Sequence, residues 1–292
     1  MSAHAPLFNM DRYRQHLRRA RRTYGQAETF KQLVADDFAE RIALINRPFD
    51  LALDLGCRTG AMARALEACP DAQAKIKTLI QADWVADFTP DQDLVLDPDH
   101  FALKDEQFHL ILAGLSLHVI NDLPGALIQI RRALRPDGLF LGAVYGPNTL
   151  QEWRDSLMTA ELELTGGAAQ RFAPLIDVRD LGSLLQRAGL ALPVTDIDTH
   201  VVRYDHPLAV LQDLRHLGET LMLSTSPAPL KKAVLVRAVE IYQDRYTDSD
   251  GRVRATLEIV TASGWAPHDS QQKPLRPGEA DISLAEALRT QN

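Results

Sequence analysis

The sequence predicts an α/β protein: a doubly wound, seven-stranded, mostly parallel sheet with N-terminal helices and a helical insertion before the last strand. Three observations predict it. Short apolar runs alternate with helical spacings between residues 49 and 145; the first run turns through glycines into a helix in LALDLGCRTGAMARAL (51–66); and acids close the first three runs, at Asp54, Asp83 and Asp97. Strands that alternate with helices need parallel crossovers and a sheet covered on both faces.

Residues 1–48 are expected to form a basic arm and a helical cap. Within the arm, DRYRQHLRRARR (11–22) sets six arginines against one acid. That pattern fits a transit peptide, a membrane-surface helix, a docking arm for an acidic partner or a solvated helix face. Residues 26–46 place Phe30, Leu33, Val34, Phe38, Ile42 and Ile45 at three- and four-residue spacings, an amphipathic helix that Pro48 ends. Five strands follow in FDLALDLG, TLIQAD, QDLVLD, FHLILAG and GLFLGAVY, with helices over 60–68 and 123–134 and an RPDG turn before the fifth. Further helices are expected at 148–164 and 178–188, on either side of a loop at Gly166 and Gly167, the second stopped by Gly189. VTDIDTHVVRYD and ATLEIVTASGW complete the sheet, and 207–246 between them is a helical insertion above the C-terminal strand edges, where such sheets bind ligands. Residues 49–265 thus make one domain, and 266–292 a polar tail.

Composition narrows the function. The chain is 46% hydrophobic and 24% charged, the balance of a soluble globular protein, and no stretch has 18 uncharged apolar residues to span a membrane. Cys57 and Cys69 stand too far apart for a metal knuckle, no paired-His or His-x-Asp spacing marks an iron site, and no metal is expected. A net charge of −7 argues against nucleic-acid binding.

The turn after the first strand keeps Gly56 and Gly60 of D-x-G-x-x-x-G. A dinucleotide loop would want G-x-G-x-x-G and phosphate, which Asp54 disfavours; a cationic ammonium would pair with that carboxylate and with carbonyls. Asp83 is placed to accept ribose hydroxyls. Asp97 is placed to accept from an adenine amino group, with Phe101 or Leu103 lining the base. Each acid alone also suits a helix cap or a turn. His118, past the fourth strand, and Tyr145, ending the fifth, are the polar groups best placed to act as a base, with packing as the alternative role.

LDLGCRTG, LIQAD, LDPDHFALKDEQFHLILAGLSLH and ALRPDGLFLGAVYG resemble class I S-adenosylmethionine-dependent methyltransferases in order and spacing. Within them, SLHVINDLPGALIQIRRALRPDGLFLGAVYGPNTLQEWRDSL, PLIDVRDLGSLLQRAGL and GWAPHDSQQKP resemble the methyltransferase-like assembly factors of mitochondrial respiratory complex I and their bacterial relatives, and more distantly the malonyl-acyl-carrier-protein methyltransferases of biotin synthesis. The resemblance implies a Rossmann-like fold and S-adenosylmethionine as cofactor. It implies that Asp54, Gly56 and Gly60 line the methionine moiety, Asp83 the ribose, Asp97 and Pro98 the adenine edge, and Leu115, Ser116 and Leu117 the loop beneath, with Tyr24 closing the site. Arg58 departs from the usual middle glycine, so its side chain must point away from the cofactor or crowd it. His109 stands where an aspartate is common, a structural change.

Three functions follow as expectations. The first is a methyltransferase acting on a protein side chain or a small acid. The second is a cofactor-binding assembly factor or arginine hydroxylase for a respiratory complex I subunit, with peripheral membrane contact through the basic arm. The third is an idle interaction protein on a methyltransferase scaffold. The expected location is a bacterial cytoplasm, with the mitochondrial matrix as alternative.

Overall fold

Strand β1 (Ala52–Leu55) is buried at every position, as a central parallel strand covered on both faces must be. In the computed structural model, which describes residues 6–86 and 88–272, it pairs in parallel with β2 (Leu79–Asp83) on one side and with β4 (Phe108–Gly114) on the other. The remaining strands are β3 (Leu94–Val95), β5 (Leu134–Tyr145), β6 (Ala191–Tyr204) and β7 (Val253–Trp265). They form one sheet in the order β3-β2-β1-β4-β5-β7-β6, with β7 antiparallel to both of its neighbours. The expected doubly wound, mostly parallel sheet of seven strands is therefore present.

Side chains alternate across the sheet. Ala52, Leu110 and Leu112 face α2 (Thr29–Leu44) and α3 (Ala61–Ala68), which is followed by the short α4 (Pro70–Gln73). Leu53, Leu55 and Ile111 face the opposite core, shared with α1 (Met10–Ala20), α5 (Leu123–Ala133) and α7 (Val178–Arg187). Asn9, Asp122 and Asp177 cap the last three helices by accepting backbone N–H groups. A third core joins α6 (Gln151–Thr165) and α9 (Lys232–Tyr246) through Trp153 and Tyr242, whose ring centroids lie 5.1 Å apart.

The basic segment forms α1, which buries Met10, Tyr13, Leu17 and Ala20, exposes Arg18 and Arg19, and turns Arg12 to Leu223 O and Arg14 to Asp97. Three local expectations change. The third strand pairs over two residues only, because it lies at the sheet edge and the chain turns back at Asp97 to bridge His100. RPDG lies inside the span of β5 rather than before it, as an irregularity with Asp137 at φ 63°, where the register with β4 shifts. The 207–246 insertion is two helices, α8 (Pro207–Leu217) and α9; Gly218 at φ 74° ends the first, and Pro227 and Pro229 keep the connection open. Most of the expected polar tail, residues 273–292, lies outside the described residues.

Candidate active site

The turn after β1 is built on left-handed backbone: Gly56 has φ 85°, Arg58 50° and Gly60 78°. A Cβ on Gly56 would lie 2.4 Å from that of Ser116, so the loop after β4 comes too close for any side chain there. The Gly56 and Cys57 N–H groups both donate to Ala82 O, at 2.8 and 2.9 Å, which ties the turn to β2. Ser116 Oγ donates to Leu55 O at 2.6 Å, and the Leu115 N–H donates to Ala143 O at 2.9 Å. Gly56, Gly60, Leu115 and Ser116 thus meet around the end of β1.

The three acids have different surroundings. Asp54 is buried, and neither of its carboxylate oxygens has a hydrogen-bond partner. Burial pushes its carboxyl up to about 6, against the pull of the nearby Lys31 ammonium. Lys31, on the buried face of α2, donates from Nζ to Gly56 O at 2.7 Å and also to Gly114 O. Burial lowers the affinity of this ammonium for its proton, with Asp54 acting the other way.

Asp83 is fully enclosed and accepts from Arg58 Nη1 at 2.6 and 2.7 Å, from the Arg58 N–H at 2.8 Å and from the Trp84 N–H at 2.6 Å. The Arg58 side chain, at 0% exposure, turns into the site, and its Nη2 donates to Tyr13 OH at 2.8 Å. Asp97 is half-exposed and holds Arg14 Nη2 at 2.9 Å. Burial raises the Asp97 carboxyl, but the Asp99 N–H and Arg14 together bring it below the usual range. Pro98 is buried beside it, and Phe101 stacks on Trp84 with ring centroids 5.8 Å apart. Tyr24 lies edge-on to Phe88 at 5.2 Å, and the Arg58 guanidinium lies 5.6 Å from the same Phe88 ring.

Beyond Tyr145 and His118 opens a cavity of about 480 Å³, walled by α2, α6, α8 and the connections around them. His118 Nε2 lies 3.1 Å from Glu219 Oε2, its Nδ1 is buried without a partner, and its ring meets Tyr145 edge-on at 4.8 Å. A carboxylate only accepts, so Nε2 is the donor in this contact. Asp213 also lines the cavity and accepts from Tyr204 OH at 2.9 Å. Among the described residues, no three His, Cys, Asp or Glu side chains gather as metal ligands.

Sequence reasoning missed Lys31, Glu219 and the inward course of Arg58. Only Lys31 left a signal, three residues before Val34 and seven before Phe38 on the buried stripe of α2. His109, flagged for replacing an aspartate, donates its N–H to Leu51 O at 2.9 Å at the far end of β4, away from the loop.

The Methyltransferase domain family matches residues 26–193. The chain is similar to "Arginine-hydroxylase NDUFAF5, mitochondrial" of Danio rerio, with 37% identity over 268 residues, 88% of this chain and 81% of that one. It is also similar to the "Malonyl-[acyl-carrier protein] O-methyltransferase" of Laribacter hongkongensis, with 30% identity over 288 residues, 94% and 95% of the two chains. Among solved structures, the YcgJ protein of a Bacillus species superposes with a TM-score of 0.52 at 13% identity, over 80% of this chain and 98% of the other, a likeness of fold.

Proposed function

The chain belongs to the methyltransferase-domain family, and on that premise we propose that it modifies a protein side chain, arginine foremost, held in the cavity beside His118 and Tyr145. The observation that carries this reading is the 37% identity, through 88% of the chain, with a protein named an arginine-hydroxylase. The cavity agrees with it chemically. Glu219 and Asp213 line it, and a guanidinium pairs with carboxylates through a planar fork of donors. His118, fixed through Nε2, offers Nδ1 to accept a proton from the bound group.

S-adenosylmethionine is the cofactor this family implies; when bound, it presents an electrophilic methyl group on a cationic sulfur. Its fit here is divided. The unpartnered carboxylate of Asp54 suits its ammonium, whereas both oxygens of Asp83, the expected ribose acceptor, are taken by Arg58. A ribose diol reaches Asp83 only when Arg58 leaves it.

The partner we infer is a respiratory-complex subunit, reached in the mitochondrial matrix or the bacterial cytoplasm according to host. The mitochondrial relatives favour the mitochondrial setting. No helix among the described residues is long and apolar enough to cross a membrane. A second reading, methyl-ester formation on a small acid, draws on the malonyl-acyl-carrier relative, which the alignment covers over 95% of its length. Deleting the gene in its host and comparing peptide masses tests both. Arginine peptides that lose one oxygen or one methylene on deletion, and regain it on complementation, support the first reading. A lost methyl ester on a small acid supports the second, and an unchanged mass profile overturns both.

A further inference from the structure

Two of the three acids at the strand ends are paired with a cation of the chain itself: Arg58 takes Asp83 and Arg14 takes Asp97, whereas Asp54 keeps both oxygens unpartnered, with Lys31 Nζ on the nearby carbonyls of Gly56 and Gly114. An incoming ligand with an ammonium, a ribose diol and an amino-bearing base would find the acceptors for the diol and the base already engaged. The Arg58–Asp83 pair is the tighter. Both side chains are at 0% exposure, Asp83 accepts four hydrogen bonds, and the far side of the guanidinium is held by Tyr13 and covered by Phe88.

We propose that Arg58 is the gating residue of the cofactor loop: its guanidinium stands on Asp83 where a ribose diol would bind, and a nucleoside cofactor binds only by displacing it. This rests on the reading of the loop as an S-adenosylmethionine site. The middle position of D-x-G-x-x-x-G is where the loop passes beneath the ligand, and a residue with φ near 50° is a position that glycine fills without strain. Here it carries the longest cationic side chain instead. A ligand that uses Asp83 must break a buried ion pair and expel Arg58 past Tyr13, so its apparent affinity falls by the fraction of molecules in which the gate stands open. Selectivity follows from the same geometry: ligands without a diol gain nothing at Asp83 and have no means to open it.

Calorimetric titration of the full chain with S-adenosylhomocysteine and S-adenosylmethionine, for the wild type, Arg58→Gly, Arg58→Gln and Tyr13→Phe, tests this. Arg58→Gln keeps a neutral donor for Asp83 and serves if the glycine variant does not fold. Removing the guanidinium should tighten binding by about tenfold or more, and Tyr13→Phe, which loosens its far end, should tighten it by a smaller factor. Nitrogen NMR of the wild type should show slowly exchanging Arg58 guanidinium protons that are lost as ligand is added. Equal affinity in wild type and folded variants overturns the gate and leaves the cofactor reading standing. Failure of every folded variant to bind either ligand overturns the gate together with the cofactor reading. Rapidly exchanging guanidinium protons in the free wild type overturn the gate whatever the affinities.

Discussion

Glu219 and His118, 101 residues apart in sequence, meet at 3.1 Å on the wall of the cavity, and the contact makes the imidazole Nε2 a donor. Glu219→Gln offers an amide that can donate as well as accept, so the tautomer is no longer dictated. We expect His118→Asn to lower modification of the acceptor by about 10²-fold or more and Glu219→Gln by a smaller factor, with thermal stability of both variants close to wild type. Mass spectrometry of the modified peptide in complemented cells measures the effect. Full activity in His118→Asn would assign the ring to packing against Tyr145.

Arg58→Ala leaves the Asp83 carboxylate enclosed with only the backbone donors of residues 58 and 84. An uncompensated buried charge of this kind costs about 3–5 kcal/mol. Arg58→Gly should cost less by about 1 kcal/mol, because glycine accepts the left-handed backbone. Urea unfolding of the two variants at neutral pH reads both numbers, and the order Ala below Gly is the decisive part.

The pH dependence of Asp54 runs opposite to that of an ordinary paired carboxylate. Its folded-state value, about 6, lies above the usual value of 3.8, so the folded chain binds the extra proton between the two. Its contribution to stability is therefore greatest at acid pH and declines as pH rises from about 4 to about 6, by on the order of 3 kcal/mol. Asp54→Asn should abolish that decline. The stability difference between variant and wild type, followed by denaturant titration from pH 4 to pH 7, should grow in favour of the variant; a flat difference would mean that Asp54 stays ionised throughout.

Gly56→Ala faces two separate penalties, the φ of 85° and the Cβ of Ser116 at 2.4 Å. Together they should cost about 3 kcal/mol. Adding Ser116→Gly removes the second obstacle, and the double variant should recover part of the loss. A double-mutant cycle with no coupling would show that the two loops are farther apart than described.

The order of strands, the turn and the placing of the three acids are legible in the sequence because each rests on a local signal: period-2 or continuous apolar runs, glycines, and an acid where a run stops. Long-range facts left little trace. Glu219 follows a helix-ending glycine like many surface residues, and nothing near it points to His118. Arg58 reads as a departure from a glycine position, but whether its side chain turns in or out depends on the left-handed backbone at that residue and on the acceptor waiting at Asp83. Lys31 lies on the apolar stripe of α2 and reads as a polar interruption until the carbonyls of Gly56 and Gly114 come within reach. Gly218 and the two prolines mark the split of residues 207–246, and the helical spacing on either side outweighs them in the sequence.

Strand β7 is the last strand among the described residues and yet lies inside the sheet, between β5 and β6. While the chain is being synthesised, those two strands have no partner on their facing sides until Val253–Trp265 leaves the ribosome. Closing the sheet is thus a single late event with long sequence separation on the β5 side, the kind of pairing that folds slowly. A message truncated before codon 253 yields a chain in which one edge of β5 and both edges of β6 are open, where the full sheet leaves only the outer edge of β6 on that side, a template for association with other nascent chains.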